Sequence, residues 1–148
     1  DVYVLQSWVN REGGELKFVP SQDGHTLLLE DVLGKISFTT AKDDESGYAY
    51  MKPIFSEKVE EMNGKRVQIT GYMIPLDTEG YEYVVSAYPN SACFFCGGAG
   101  KESVVELDLE TYDRRYEVDE IVQMEGIFEL NEDQFGLCYR LIGAKPVN

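Results

Sequence analysis

Two stretches of the chain, KRVQITGYMIPL (65–76) and EIVQMEGIFEL (120–130), alternate apolar and polar residues around a central glycine. A period of two is the mark of a strand with one buried face. Val67, Ile69, Gly71 and Met73 fall on one side of the first stretch, and Arg66, Gln68, Thr70 and Tyr72 on the other. A glycine inside such a strand gives up side-chain packing, so it marks a sharp bend or a place where another backbone comes close. YEYVVSAY (81–88), SVVELDLE (103–110) and LCYRLIGAKPV (137–147) supply three more strands, and the polar turn NEDQFG joins the last two into a hairpin. Five strands, with glycines bending the first and the fourth, predict an all-β fold closed into a small barrel.

The OB-fold, a five-stranded barrel, meets these requirements. An OB-fold-like domain is expected over residues 54–148, with residues 1–53 as an N-terminal extension packing on it. The extension carries short apolar runs, VYVLQSWV, ELKFV and LLLEDVLGKISF, that read as two or three strands between polar turns. One short helix should precede the barrel: in PIFSEKVEEMNGK, Phe55, Val59 and Met62 share a helical face, Ser56 suits the N-cap and Gly64 the stop. TYDRRYEVDE, between the third and fourth strands, is short and weakly helical, so the 55–62 helix is expected to plug the barrel end in place of an inter-strand helix. AKDDESGY is a solvated acidic loop that lacks the alternating ligands and distal Glu of a calcium loop.

At 148 residues the chain is long enough to bury a continuous core without disulfides. No apolar run in it is long enough to span a bilayer. Asp and Glu outnumber Lys and Arg 27 to 13, and the resulting net charge of −14 repels phosphate backbones and anionic lipid surfaces. That argues against nucleic acid as a partner, although 10 tyrosines on an OB barrel could suggest a stacking surface; tyrosine is equally an ordinary strand residue. The sequence shows no Ser/His/Asp set, phosphate loop or zinc-protease motif. A protein that is not an enzyme is expected.

The remaining chemistry sits in NSACFFCGGAG (90–100), where Cys93 and Cys96 lie three positions apart, and in Cys138 at the start of the fifth strand. The third and fifth strands of an OB barrel run side by side and parallel, so their beginnings are neighbours. Cys93, Cys96 and Cys138 would then share one ion, and Cys-x-x-Cys followed by glycines is the geometry of a metal knuckle. Thiolates favour zinc or Cu(I) over calcium and magnesium, so zinc is the expected cofactor and copper the alternative. A fourth ligand would come from Glu102, Glu106, the lone His25 or water. Three rival readings stand beside this one. A Cys93–Cys96 disulfide would close a very short loop and constrain the unfolded chain little. Cys138 is equally at home as a small core residue beside an idle pair. A redox pair would want its first thiol at a helix N-terminus, and no helix pattern follows the motif. Phe94 and Phe95 read either as a partner-binding tip or as a cap over the core. Without a metal, the protein would be an interaction module whose barrel face or Phe94–Phe95 loop docks another protein.

The stretch from Ile54 to Leu109 resembles an uncharacterised family of exported bacterial OB-fold-like proteins and lipoproteins. The likeness rests on a Gly-Lys-x-Val strand leading to Gly-Tyr-x-x-Pro-Leu and then a cysteine loop, here Gly64, Lys65, Val67, Gly71, Tyr72, Pro75, Leu76 and Cys93. DVLGKISF echoes the short opening segment of that family. Many of its members continue from the cysteine with a histidine and a proline-rich run, where this chain has Phe94, Phe95, Cys96 and Gly97. The resemblance implies a periplasmic or other extracytoplasmic location, with lipid anchoring among its forms, and an accessory role beside a cell-envelope protein or transporter component. The start at Asp1 fits either a removed signal peptide or a trimmed chain. An oxidising envelope would also favour the Cys93–Cys96 bridge.

Overall fold

The computed structural model describes residues 2–7, 10–11, 14–15, 25–94, 97–132 and 136–147. The strands are β1 (Tyr3–Gln6), β2 (Asn10–Arg11), β3 (Gly14–Glu15), β4 (Thr26–Leu28), β5 (Ile36–Lys42), β6 (Ala49–Phe55), β7 (Arg66–Pro75), β8 (Tyr83–Ser86), β9 (Val104–Leu109), β10 (Glu120–Leu130) and β11 (Tyr139–Pro146). Two short helices, α1 (Leu29–Leu33) and α2 (Glu57–Met62), accompany them.

Strands β7 to β11 form a closed ring. β7 pairs antiparallel with β8, β8 antiparallel with β9, β9 parallel with β11, β11 antiparallel with β10, and β10 antiparallel with β7. This is the expected all-β, OB-fold-like barrel, with extra strands added. Val67, Ile69 and Met73 face its interior and are fully buried, as the alternation requires. β10 runs along one edge of β7, and the other edge is shared: β1 pairs with Val67–Thr70, β8 with Tyr72–Pro75. The changeover falls at Gly71, where a Cβ would lie 2.6 Å from the Ser86 carbonyl oxygen. At Gly126 the β10–β11 register shifts, and a Cβ there would lie 2.7 Å from the Ile142 carbonyl oxygen. Both glycines are therefore places of close backbone approach.

The N-terminal segment joins the barrel through its sheet. β1 runs parallel to β7, with Leu5 beside Ile69, and β4 runs parallel to β1. LLLEDVLGKISF, read from sequence as strand, divides into β4, α1 and β5. Leu29, Val32 and Leu33 are spaced as one helical face, and all three are buried in the core, so packing decides for helix. β5 and β6 form a separate hairpin. Its base is held by buried Phe55, with Ile36 and Phe38 packed against the core, while Tyr48 near its tip is 76% exposed.

α2 starts where the sequence indicates: the Ser56 hydroxyl accepts from the Val59 N–H at 3.4 Å, and Gly64 leaves the helix at φ +79°. Val59 and Met62 are fully buried in the main core with Leu29, Leu33, Phe128 and Tyr139. No helix forms over residues 110–119. Arg114 stacks on Tyr116 at 4.2 Å and pairs with Glu120, while the Tyr116 N–H donates to the Tyr83 hydroxyl at 3.2 Å, so side chains hold that segment irregular. Among the described residues, no helix is long and apolar enough to cross a membrane.

Candidate functional site

The cysteine loop is a chain of tight turns on the barrel wall. It opens with the Asn90 N–H donating to Asp119 Oδ1 at 2.7 Å; Asp119 itself has φ +62° and donates its N–H to the Met73 carbonyl at 2.8 Å. The Gly97 N–H donates to the Phe94 carbonyl and the Gly98 N–H to the Cys93 carbonyl, each at 3.0 Å. Those glycine amides thus turn to carbonyl oxygen. The Ser103 hydroxyl closes the loop on the Gly100 carbonyl at 2.6 Å.

Cys93 and Cys138 are both buried and both free thiols. Cys93 belongs to a small apolar cluster with Ile74, Val84 and Val104, capped by Phe94 and Leu137. Cys138 belongs to the main core instead. β9 and β11 do run parallel with Glu106 opposite Arg140, so the strand beginnings adjoin. But Leu137 and Cys138 precede β11, and their side chains fall to different clusters: Leu137 packs against the Cys93 cluster, while Cys138 joins Tyr139 in the main core. Cys96 and Phe95 lie outside the described residues. Among those described, no group of three or more His, Cys, Asp or Glu side chains is placed to hold a metal ion.

The other nominated ligands are dispersed. Glu106 accepts from Arg140 Nε at 2.8 Å on the outer wall, and the His25 ring lies 4.6 Å from that of Tyr3, beside β1. Glu102 is the one close to a thiol. Burial pushes the Cys138 thiol up, Lys101 opposes this and Glu102 adds to it. A buried thiol with a raised pKa is a poor nucleophile and a poor ligand until it loses its proton.

A different feature gathers polar and aromatic groups: a groove of about 470 Å³ over the outer face of β8, β9 and β11. Glu82, Glu106 and Asp108 line it, with Arg140 between them and Leu76 and Tyr81 at its rim. Arg140 is held by Glu106 and, at 3.5 Å, by Glu129, so the groove keeps a negative balance. The rim is built by the β7–β8 turn. The Asp77 carboxylate accepts from the N–H groups of Gly80, Tyr81 and Glu82, each at 3.2 Å. This shortens β8 to four residues, against the eight its sequence pattern suggests, and leaves Tyr81 59% exposed with its ring 5.4 Å from that of Tyr112.

No protein-family model matches the chain, and no curated protein matches it. Among solved structures, it is similar to a DUF3299 family protein from Pseudomonas aeruginosa PAO1, at 15% identity and a TM-score of 0.45, over 65% of this chain and 68% of that one. That neighbour carries a family designation and no named activity.

The groove residues were accessible to sequence reasoning only through the fold. Glu106 and Asp108 alternate with buried Val105, Leu107 and Leu109, which marks them as outward-facing, but nothing local to β9 indicates which neighbours they meet.

Proposed function

We propose that this protein is a non-catalytic interaction module of the cell envelope that receives a basic, extended segment of a partner protein in the groove over β8, β9 and β11. The observation that carries the reading is the lining itself: three carboxylates, an arginine already paired with two of the protein's own carboxylates, and an exposed Tyr81–Leu76 rim. A lysine- or arginine-bearing strand would place alternate cations against Glu82 and Asp108 and lay its apolar side chains on Leu76 and Tyr81. The protein's charge of −14 would speed encounter with such a partner and repel acidic ones. The envelope setting rests on the sequence resemblance. The reading requires neither a metal nor a Cys93–Cys96 bridge.

The test uses a fluorescent Lys-Val-Lys-Val-Lys peptide and its Glu counterpart. Binding of the basic peptide should weaken at high salt and fall about tenfold in the Glu82→Lys/Asp108→Lys variant, a change of about 1.4 kcal/mol. Reversing Glu57 and Glu60 on α2, away from the groove, should change it little. Equal losses at the two places would mean that the peptide senses only the overall charge, and the groove would lose its claim.

A zinc protein using Cys93, Cys96 and Cys138 is the weaker reading, because the two described thiols belong to separate apolar clusters. Elemental analysis of protein purified without chelator, beside a Cys138→Ser variant, separates the two. Near-stoichiometric zinc or copper that disappears with Cys138 would reinstate the metal site and displace the present reading of the loop.

A further inference from the structure

A second cavity, of about 380 Å³, opens between α1 and the turn that carries the cysteine loop into β9. Its walls include Leu33, Ala87 and Ala99, Tyr88 stands at its edge with 38% of its surface exposed, and Glu30 and Glu102 reach it from different elements. No basic side chain is among its described lining residues. Lys101, the cation nearest in sequence, has its ammonium 5.5 Å from the Phe38 ring centre. The cavity lies within the size range of small-ligand sites and combines an apolar wall, an aromatic ring and two carboxylates.

We propose that this cavity binds a small organic ammonium ion, an amine with an apolar body. The body would rest on Leu33, Ala87 and Ala99, and the cationic head would lie between Glu30 and Glu102 beside the Tyr88 ring. A bare metal ion is a poorer occupant: hard cations need six or more oxygen ligands, and an apolar wall offers none. Gly100 supports the assignment. A Cβ there would fall on the Glu102 carboxylate, so this carboxylate lies directly against bare backbone. Gly100 has φ −79° and ψ 165°, which alanine adopts freely. Gly100→Ala should therefore fold normally while displacing one carboxylate from the site.

The probe is phenethylammonium, with uncharged 2-phenylethanol as its comparison, followed by amide chemical shifts in an NMR titration. The ammonium should perturb Gly98, Ala99 and Gly100 and saturate, with 2-phenylethanol at least about tenfold weaker. Glu102→Gln and Gly100→Ala should each weaken binding about fivefold, with unchanged unfolding midpoints, while Glu60→Gln on α2 leaves it intact. Equal binding of amine and alcohol, no saturation, or indifference to both Glu102→Gln and Gly100→Ala overturns the proposal. Shifts confined to the β8–β9–β11 groove would overturn it as well, without touching the reading of that groove.

Discussion

The Tyr139 hydroxyl, inside the barrel at the start of β11, donates to the Leu33 carbonyl at 2.8 Å and so ties the end of α1 to the domain 106 residues later. Its ring packs on Phe128 and Phe55, and burial raises its pKa well above the ordinary tyrosine value. Tyr139→Phe keeps the packing and strands a buried helix-end carbonyl. A loss of about 1–2 kcal/mol is expected in urea unfolding at neutral pH. An unchanged midpoint would mean that α1 docks through Leu29 and Leu33 alone.

Gly71 and Gly126 make a stronger prediction. At Gly71 the new methyl of an alanine would meet the Ser86 carbonyl at 2.6 Å and Val85 Cγ1 at 2.8 Å; at Gly126 it would meet the Ile142 carbonyl at 2.7 Å. A main-chain carbonyl in a paired strand has little freedom to move aside. Each alanine variant should cost about 2 kcal/mol or more. Gly64→Ala makes a useful contrast: a Cβ there meets nothing within 4 Å, and only its φ of +79° is strained, so a cost of about 1 kcal/mol is expected. Thermal unfolding of the three variants ranks them directly.

These two glycines also show how much the sequence discloses. Each interrupts an alternating strand, and that interruption alone points to a bent barrel strand. The Ser56 cap and the Phe55–Val59–Met62 face likewise locate α2 from local chemistry. What stays hidden depends on contacts between distant segments. Nothing near residues 29–33 tells a reader that Tyr139 will receive their end, and the strand-like surroundings of LLLEDVLGKISF obscure a five-residue helix. The cysteines illustrate the opposite hazard. The parallel β9–β11 pairing is readable in outline, but each thiol sits in irregular chain beside a strand, Cys93 in the loop after β8 and Cys138 just before β11 opens at Tyr139, where the alternation of a strand does not say which cluster a side chain joins.

The acid limb of stability should involve Glu125. It accepts from Gln68 Nε2 at 2.9 Å and from Arg66 at 3.1 Å. The Gln68 hydrogen bond, helped by Arg66 and opposed by burial, holds its pKa below the ordinary Glu value of 4.5. A depressed folded pKa means that the unfolded chain takes up the proton first. The contribution is therefore fully present above pH 4.5 and drains away as pH falls through the lower folded value. Glu61 behaves in the same sense, lowered by Lys58 and Tyr3. Glu125→Gln should flatten the acid limb of a plot of unfolding midpoint against pH while the neutral-to-alkaline limb keeps its shape. An acid limb identical to the parent's would show that Glu125 titrates alike in the folded and unfolded chains.

The placement of the thiols can be checked without reference to any metal. In a Cys96→Ser variant only Cys93 and Cys138 remain, each buried in its own apolar cluster and Cys138 further protected by a raised pKa. A thiol reagent attacks the exposed thiolate, so both should react only through opening of the fold. Two separate clusters should open separately. Cys93 lies under a loop of single turns, where few backbone hydrogen bonds must break, whereas Cys138 belongs to the main core shared by the barrel strands and both helices. Two phases are expected in native labelling, with Cys93 faster by about tenfold or more, and a single fast phase for two thiols in denaturant. Equal native rates would mean that the loop and barrel open as one unit. Immediate labelling of Cys138 would contradict its burial and return the thiol to the list of accessible metal ligands.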